Sequence, residues 1–342
     1  MARGGGSRVV LHVGAMKSGT TYLQSLLWTN RELLAERGVL FPGRAGGDQM
    51  RGVMDVLGHA AAQAHTGAWQ ALADEIRAHD GTSVISMEFL GPALPEKVDR
   101  VLAGFEDVTV VVTARDLNRN LAAMWQESVQ NGRAWTFADF VEGARVSRPH
   151  PGRDPESVTP AGKSFWRQQN LVRICRNWSR GGTRLVLVTV PPPGAAPDVL
   201  RDRFLSLVGT PADGLVPPPR SNESIGVASA EALRQVNALL ETEGLAFPAG
   251  QRQRKNFLAD THSAVQRGSE ARIGLPLAPW VEEHAAAMVA KLQTLDVELL
   301  GDWDELRPVA VPGVDPGSVD PAAVSEAAVA WLAGVVARQI RA

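Results

Sequence analysis

The chain holds one cysteine, Cys175, among 342 residues. A lone thiol cannot close an internal disulfide, and it excludes a cysteine-rich zinc site. Cys175 therefore reads as a small buried hydrophobe. An excess of one charge is also missing: 35 Lys and Arg stand against 37 Asp and Glu, a net charge of −2. No global field draws such a chain to nucleic acid or to an anionic membrane, so an anion site has to be assembled locally. The seven histidines show no HExxH or similar pairing. Long hydrophobic runs are absent as well. The Gly-rich start, Met1 to Arg8, leads into no apolar segment long enough for a signal peptide. The longest weakly polar stretch, Ala327–Ala337, is too short to span a bilayer. The expectation is a cytoplasmic protein with no membrane span and no nucleic-acid partner.

What is present is an ordinary globular pattern without internal repeats. Four runs rich in Val, Leu and Ile read as strands covered on both faces: Val9–Val13, Val84–Met87, Val108–Thr113 and Arg184–Val190. Helical spacing marks Thr20–Arg37, Trp69–Ala78, Leu117–Gln130, Phe165–Arg180, Ser229–Glu241, Pro279–Leu300 and Ala322–Ile340. Strands alternating with helices imply an α/β fold with a parallel β-sheet flanked by helices, followed by a helical C-terminal part. One domain is expected over 1–305. The Pro-rich linker from Pro308 and the last helix, within 306–342, are expected to pack on it. In such sheets ligands bind beyond the carboxyl ends of the strands, so the residues just after each strand are the ones to inspect.

The first strand ends in His12-Val13-Gly14-Ala15-Met16-Lys17-Ser18-Gly19-Thr20-Thr21. A helix start offers unpaired N–H groups and the positive end of the dipole. Gly14 and Gly19 let backbone approach an anion closely. Lys17 adds a charge, and Ser18, Thr20 and Thr21 add hydroxyl donors. The alternative is a Gly/Ser turn that only caps a helix. The nucleotide-triphosphatase loop has another order, Gly, four residues, then Gly-Lys-Ser/Thr. Here Lys17 precedes Gly19, and the third strand leads to Ala114-Arg115 where a magnesium-binding carboxylate belongs.

This segment resembles the 5′-phosphosulfate loop of the sulfotransferases that use 3′-phosphoadenosine 5′-phosphosulfate (PAPS). With Tyr22-Leu23-Gln24 and Gly38-Val39-Leu40-Phe41-Pro42-Gly43 it is similar to a bacterial branch of that family. The resemblance runs in order and spacing over roughly Arg8 to Leu300, strongest at the first loop. It implies a P-loop-like sheet, PAPS as donor with 3′-phosphoadenosine 5′-phosphate (PAP) as product, and cofactor contacts from Lys17, Ser18, Gly19, Thr20 and Thr21. It also implies an arginine gripping the 3′-phosphate at the third strand's end, where Arg115 stands, with a serine eight residues on. Position 123 is Ala, which leaves Ser128 or Arg119 to compensate. Arg115 has an alternative as the partner of Asp116 or another carboxylate. A further cofactor contact falls to Arg220, Asn222 and Ser224, although Asn222 or Ser224 equally suits a helix N-cap.

Sulfuryl transfer needs a base for the acceptor proton and a stabiliser for the leaving phosphate. Lys17 suits the second task. Glu88, after the second strand and beside apolar Phe89 and Leu90, suits the first. The alternative for Glu88 is a helix-terminal carboxylate facing the dipole. His150, in a Pro-rich loop, is a second candidate base. The acceptor is read as a hydroxyl, or an amine, of a small molecule or glycan. Two rivals stay open: a P-loop kinase-like nucleotide phosphotransferase, and a non-catalytic nucleotide-binding protein. The Arg252/Arg254/Lys255 patch reads as a solvated face, and the tryptophans at helical spacing as core.

Overall fold

The computed structural model describes residues 7–59, 66–196, 198–219, 225–248 and 270–341. The strands are β1 (Arg8–Gly14), β2 (Val39–Leu40), β3 (Thr82–Ser86), β4 (Asp107–Ala114), β5 (Arg184–Thr189) and β6 (Glu298–Leu300). The helices begin with α1 (Thr20–Thr29), α2 (Arg31–Glu36), α3 (Asp48–Val56), α4 (Ala68–Arg77), α5 (Pro95–Leu102) and α6 (Leu117–Gln130). They continue with α7 (Phe137–Val146), α8 (Pro160–Gln169), α9 (Leu171–Trp178), α10 (Val199–Val208), α11 (Val227–Thr242), α12 (Pro279–Leu292) and α13 (Pro321–Arg341).

The chain forms two compact units. One comprises Met1–Asp116, Arg167–Ser221 and Ala285–Arg307; the other comprises Leu117–Trp166, Asn222–His284 and Pro308–Ala342. The boundary expected at residue 306 thus lies beside the last crossing between units, while residues 1–305 are shared by both.

The first unit holds the whole sheet, in the order β2-β3-β1-β4-β5-β6, with every pairing parallel. Side chains of a strand alternate between faces, and here both faces are covered. Val9, Leu11 and Val13 of β1, with Val108, Val110 and Val112 of β4, pack on α4, α5, α9 and α12 through Ile76, Val98, Trp178 and Leu292. Val10, Val111 and Val186 point the other way, against Leu23 and Leu27 of α1 and Phe204 of α10. Cys175 lies in the first of these layers, and burial pushes its thiol up to about 12. It is the inert packing residue expected.

Three expected helices end differently. Thr20–Arg37 breaks at Asn30, whose amide donates to Leu26 O (2.8 Å) and Val216 O (2.9 Å) and accepts from Val216 N (2.7 Å). A side chain serving a distant strap of backbone replaces the local helical continuation. Phe165–Arg180 breaks at Asn170, which caps α9 by accepting the N–H of Arg173 at 3.0 Å. Pro279–Leu300 is not one helix: α12 stops at Leu292, and Glu298–Leu300 adds to the sheet beside Val186–Val188. The Thr294 hydroxyl donates to Lys291 O at 2.8 Å and closes the last turn.

In the second unit, α11 packs on α13 through Ala228 and Ala232 against Val324 and Ala327. Glu270 caps α11, accepting from the Ser229 N–H (3.0 Å) and hydroxyl (2.6 Å). Asn237 of α11 donates to Val129 O (2.8 Å) and Arg133 O (3.1 Å) beside α6. Trp125 and Trp166 are buried and donate to Trp135 O (3.0 Å) and Ala144 O (2.8 Å), as core residues do. The Pro321–Ile340 part of α13 is long and apolar enough to cross a membrane by length and composition, with mean hydropathy 1.2. The expectation of no segment of that length does not hold for this helix. Ala322, Ala323 and Val324 add apolar residues before Ala327–Ala337, and Ile340 adds one after it.

Candidate active site

β1 lies inside the sheet with β3 on one side and β4 on the other. The chain reaches β3 and β4 through connections on opposite sides of β1, so its carboxyl end is the switch point where α/β sheets open a crevice. Backbone bonds align the neighbouring ends. Met87 N donates to His12 O (2.9 Å), Ala15 N to Thr113 O (2.7 Å) and Val190 N to Ala114 O (2.7 Å).

The turn from Gly14 to Gly19 uses left-handed backbone three times. Gly14 has φ 107°, and a Cβ there would sit 3.2 Å from Glu88 Cβ. Gly19, the N-cap of α1, has φ 81°, and its Cβ would strike Leu200 Cδ2 at 2.5 Å. Glycine is required at both. Lys17, at φ 62°, is the single non-glycine residue with positive φ among the described residues. Such conformations concentrate at ligand sites. The Gln169 amide donates to Met16 O at 2.9 Å and fixes the crest of the turn.

The start of α1 has no side-chain cap and no acidic residue in its first turn. Its leading N–H groups and the positive dipole end thus keep the properties of an anion site. Ser18 adds a further detail: its hydroxyl is fully buried at this helix start, and Oγ, like Ser83 Oγ and Thr210 Oγ1 elsewhere, has no hydrogen-bond partner among the described residues. Buried hydroxyls are rarely left so. Thr20 is buried beside it and Thr21 is half-buried.

Beneath the turn, His12 joins three strands. Its Nδ1 meets Ser86 Oγ at 2.7 Å and its Nε2 meets Thr113 Oγ1 at 3.1 Å. Burial lowers its pKa from the ordinary value to about 3, so it is a neutral strut under the anion site. Sequence reading assigned it no role, because a histidine within an apolar strand carries no local signal.

At the end of β3, Glu88 opens a single 3-10 turn, Glu88–Leu90. Its carboxylate accepts from Gln24 Nε2 of α1 at 2.6 Å. Gly91 lets this turn close on β1, since a Cβ there would lie 2.8 Å from Val13 O. Glu88 therefore stands between the Gly14 backbone and Gln24. Gln24 also lines a cavity of about 270 Å³, whose walls include Trp28, Phe41, Gln49, Ser86 and Met87. Neither Gln24 nor Gln49 was expected in the site. Gln24 is one helical turn beyond Thr20, a spacing that puts it on the same face.

Arg115 is half-buried at the end of β4, next to the strand that carries the turn. The sheet thus gathers Lys17, Ser18, Gly19, Thr20, Thr21, Glu88 and Arg115 along adjoining strand ends. Ser128 and His150 belong to the other unit. The Ser128 hydroxyl donates to Met124 O (2.8 Å) within α6, and exposed His150 places Nδ1 2.8 Å from Pro151 O. Arg220, Asn222, Ser224 and the Arg252/Arg254/Lys255 patch lie outside the described residues.

With this geometry in view, comparison with known proteins adds one structural likeness. The chain is similar to a bacterial sulfotransferase. The match is to the crystal structure of a sulfotransferase from Alicyclobacillus acidocaldarius, at a TM-score of 0.39 and 16% identity, over 74% of this chain and 100% of that one. No protein-family model matches the sequence, and no curated protein matches it.

Proposed function

We propose that the chain is a sulfotransferase that binds PAPS at the Lys17–Thr21 turn and passes its sulfuryl group to an acceptor hydroxyl. The observation that carries the proposal is the buried, unpartnered Ser18 hydroxyl at an uncapped helix start. These groups fit a phosphosulfate: N–H donors, three hydroxyls and the Lys17 ammonium meet its anionic oxygens. Arg115 fits the 3′-phosphate, because its planar fork donates two bonds to one phosphate.

When bound, PAPS supplies the sulfuryl group: a bond forms from the acceptor oxygen to sulfur, the bond from sulfur to the bridging phosphate oxygen breaks, and that electron pair leaves on PAP. Lys17 stabilises the charge that collects on the departing phosphate, a preorganised electrostatic role. Glu88 takes the acceptor proton on its carboxylate. Gln24 holds that carboxylate by its 2.6 Å bond.

Calorimetric titration with PAP and with ATP tests this. PAP is expected to bind and ATP to bind far more weakly. Lys17→Ala and Arg115→Ala should each weaken PAP by about 10–100-fold, the worth of a charged hydrogen bond of roughly 1.5–3 kcal/mol. Equal affinity for ATP, or PAP binding untouched by Lys17→Ala, overturns the proposal.

A further inference from the structure

The turn ahead of α1 is held by a residue from far along the chain. Gln169 closes α8, is 2% exposed, and donates from Nε2 to Met16 O at 2.9 Å. We infer that Gln169 is a positioning residue that acts through Lys17: by holding the carbonyl before Lys17, it keeps that residue left-handed and aims its ammonium at the donor phosphate. The aim at a donor rests on the sulfotransferase reading above; the hold on the turn rests on the bond itself. Both residues belong to the first unit.

Three observations carry it. First, Met16 and Lys17 share a planar trans peptide. Fixing its oxygen fixes the whole plane, so the Lys17 N–H faces away from Gln169. Ala15 N donates to Thr113 O at 2.7 Å, so β4 pins the turn at one residue and Gln169 pins it at the next. Second, Lys17 stands at φ 62°, a conformation that only glycine adopts freely. The net worth of one hydrogen bond is of the same order as that strain, so a single bond can decide which conformation Lys17 keeps.

Third, Gln169 is carried on a firm base. Asn170 leaves the helical conformation, at φ −78° and ψ 81°, and accepts from Arg173 N at 3.0 Å. α8 ends there, and α9 follows with Leu171, Ile174 and Trp178 in the core and Trp178 Nε1 donating to Leu90 O at 3.2 Å. A side chain on an element locked by packing holds its partner more closely than one on a loose loop. A glutamine that merely satisfied Met16 O would make the same bond, so the test has to reach Lys17.

The first measurement needs no ligand. Backbone order parameters from NMR relaxation should place Lys17 of the wild type in the rigid range, about 0.85. Gln169→Met should lower it toward about 0.6, with Val10 in β1 unchanged. A mobile Lys17 in the wild type, or one just as rigid in the variant, overturns the inference. The second measurement is calorimetry with PAP. Gln169→Met should weaken PAP about 3–10-fold, and in a Lys17→Ala background the same change should cost less than twofold. Equal losses in the two backgrounds mean a role independent of Lys17 and overturn the inference. Asn237→Leu removes another buried amide, with its bonds to Val129 O and Arg133 O. It should lower the melting temperature with PAP affinity within twofold. A PAP loss there as large as that of Gln169→Met means general destabilisation and overturns the inference too. If the wild type does not bind PAP, the donor reading falls, and the order parameters still decide whether Gln169 holds the turn.

Discussion

Two polar corners stand at the carboxyl edge of the same sheet, and they are built on opposite principles. After β5, Thr189, Arg203 and Glu305 form a closed set. Arg203 donates to Glu305 through Nη1 (2.7 Å) and Nη2 (3.0 Å) and to Thr189 O (2.7 Å), and the Thr189 hydroxyl donates to Glu305. A capping box at Asp302 and Glu305 completes it. After β1, the start of α1 has no side-chain cap and the Ser18 hydroxyl has no partner among the described residues. Closed polar clusters hold a fold together, whereas the ends of parallel strands are where α/β sheets commonly take ligands.

The largest expected effect tests whether the open corner does chemistry. Glu88→Gln should lower single-turnover transfer by about 10²–10⁴-fold, the range for a lost general base, with PAP affinity kept. Unchanged turnover would remove Glu88 from the reaction.

The next concerns the strut beneath that corner. His12 titrates near 3 when folded and near its ordinary 6.5 when unfolded. Between those values the unfolded chain binds the extra proton, so stability is full above about pH 6.5 and falls as pH drops toward 3. The slope for one proton is about 1.4 kcal/mol per pH unit. His284, lowered to about 4 chiefly by burial, acts in the same direction. The measurement is therefore the difference between wild type and His12→Gln in urea unfolding across pH. An unaltered slope in the variant contradicts the role.

The closed corner should respond only in stability. Arg203→Ala leaves Glu305, whose side chain is 15% exposed, without its cation. It should cost about 2–3 kcal/mol, read as a lower melting temperature, with PAP affinity unchanged. A loss of PAP binding without a loss of stability would reverse the comparison.

Ser18→Ala gives the smallest and sharpest effect. Removing an unsatisfied buried hydroxyl should leave the free protein as stable or up to ~1 kcal/mol more so. PAP affinity should nonetheless fall about 2–10-fold, the worth of one hydrogen bond. A clear loss of stability would mean that the hydroxyl is structural after all.

The sequence was most legible where its signal was local. The Val-rich runs predict β1, β3, β4 and β5, because strands buried on both faces need no partner to be recognised. The Gly14-Ala15-Met16-Lys17-Ser18-Gly19-Thr20 turn is legible because its glycines, lysine and hydroxyls answer a backbone or charge need within a few positions. What escaped was set by distant partners. β2 and β6 have two and three residues and exist only through the sheet beside them. The break at Asn30 depends on Val216, and Gln24 matters because β3 delivers Glu88 to it. Ser128 and His150 have residue types that suit the chemistry, and both belong to the second unit.

Helix α1 works as a ruler. Its first turn follows the Gly14–Gly19 loop, and Gln24, four residues on, holds the Glu88 carboxylate, a rise of about 6 Å. Trp28, a further turn along, lines the cavity beside it. One inserted residue between Thr20 and Gln24 would rotate everything beyond it by about 100°, leaving the turn intact while swinging Gln24 and Trp28 out of line. The spacing between the glycine turn and the Glu88 carboxylate is thus written in the length of a single short helix.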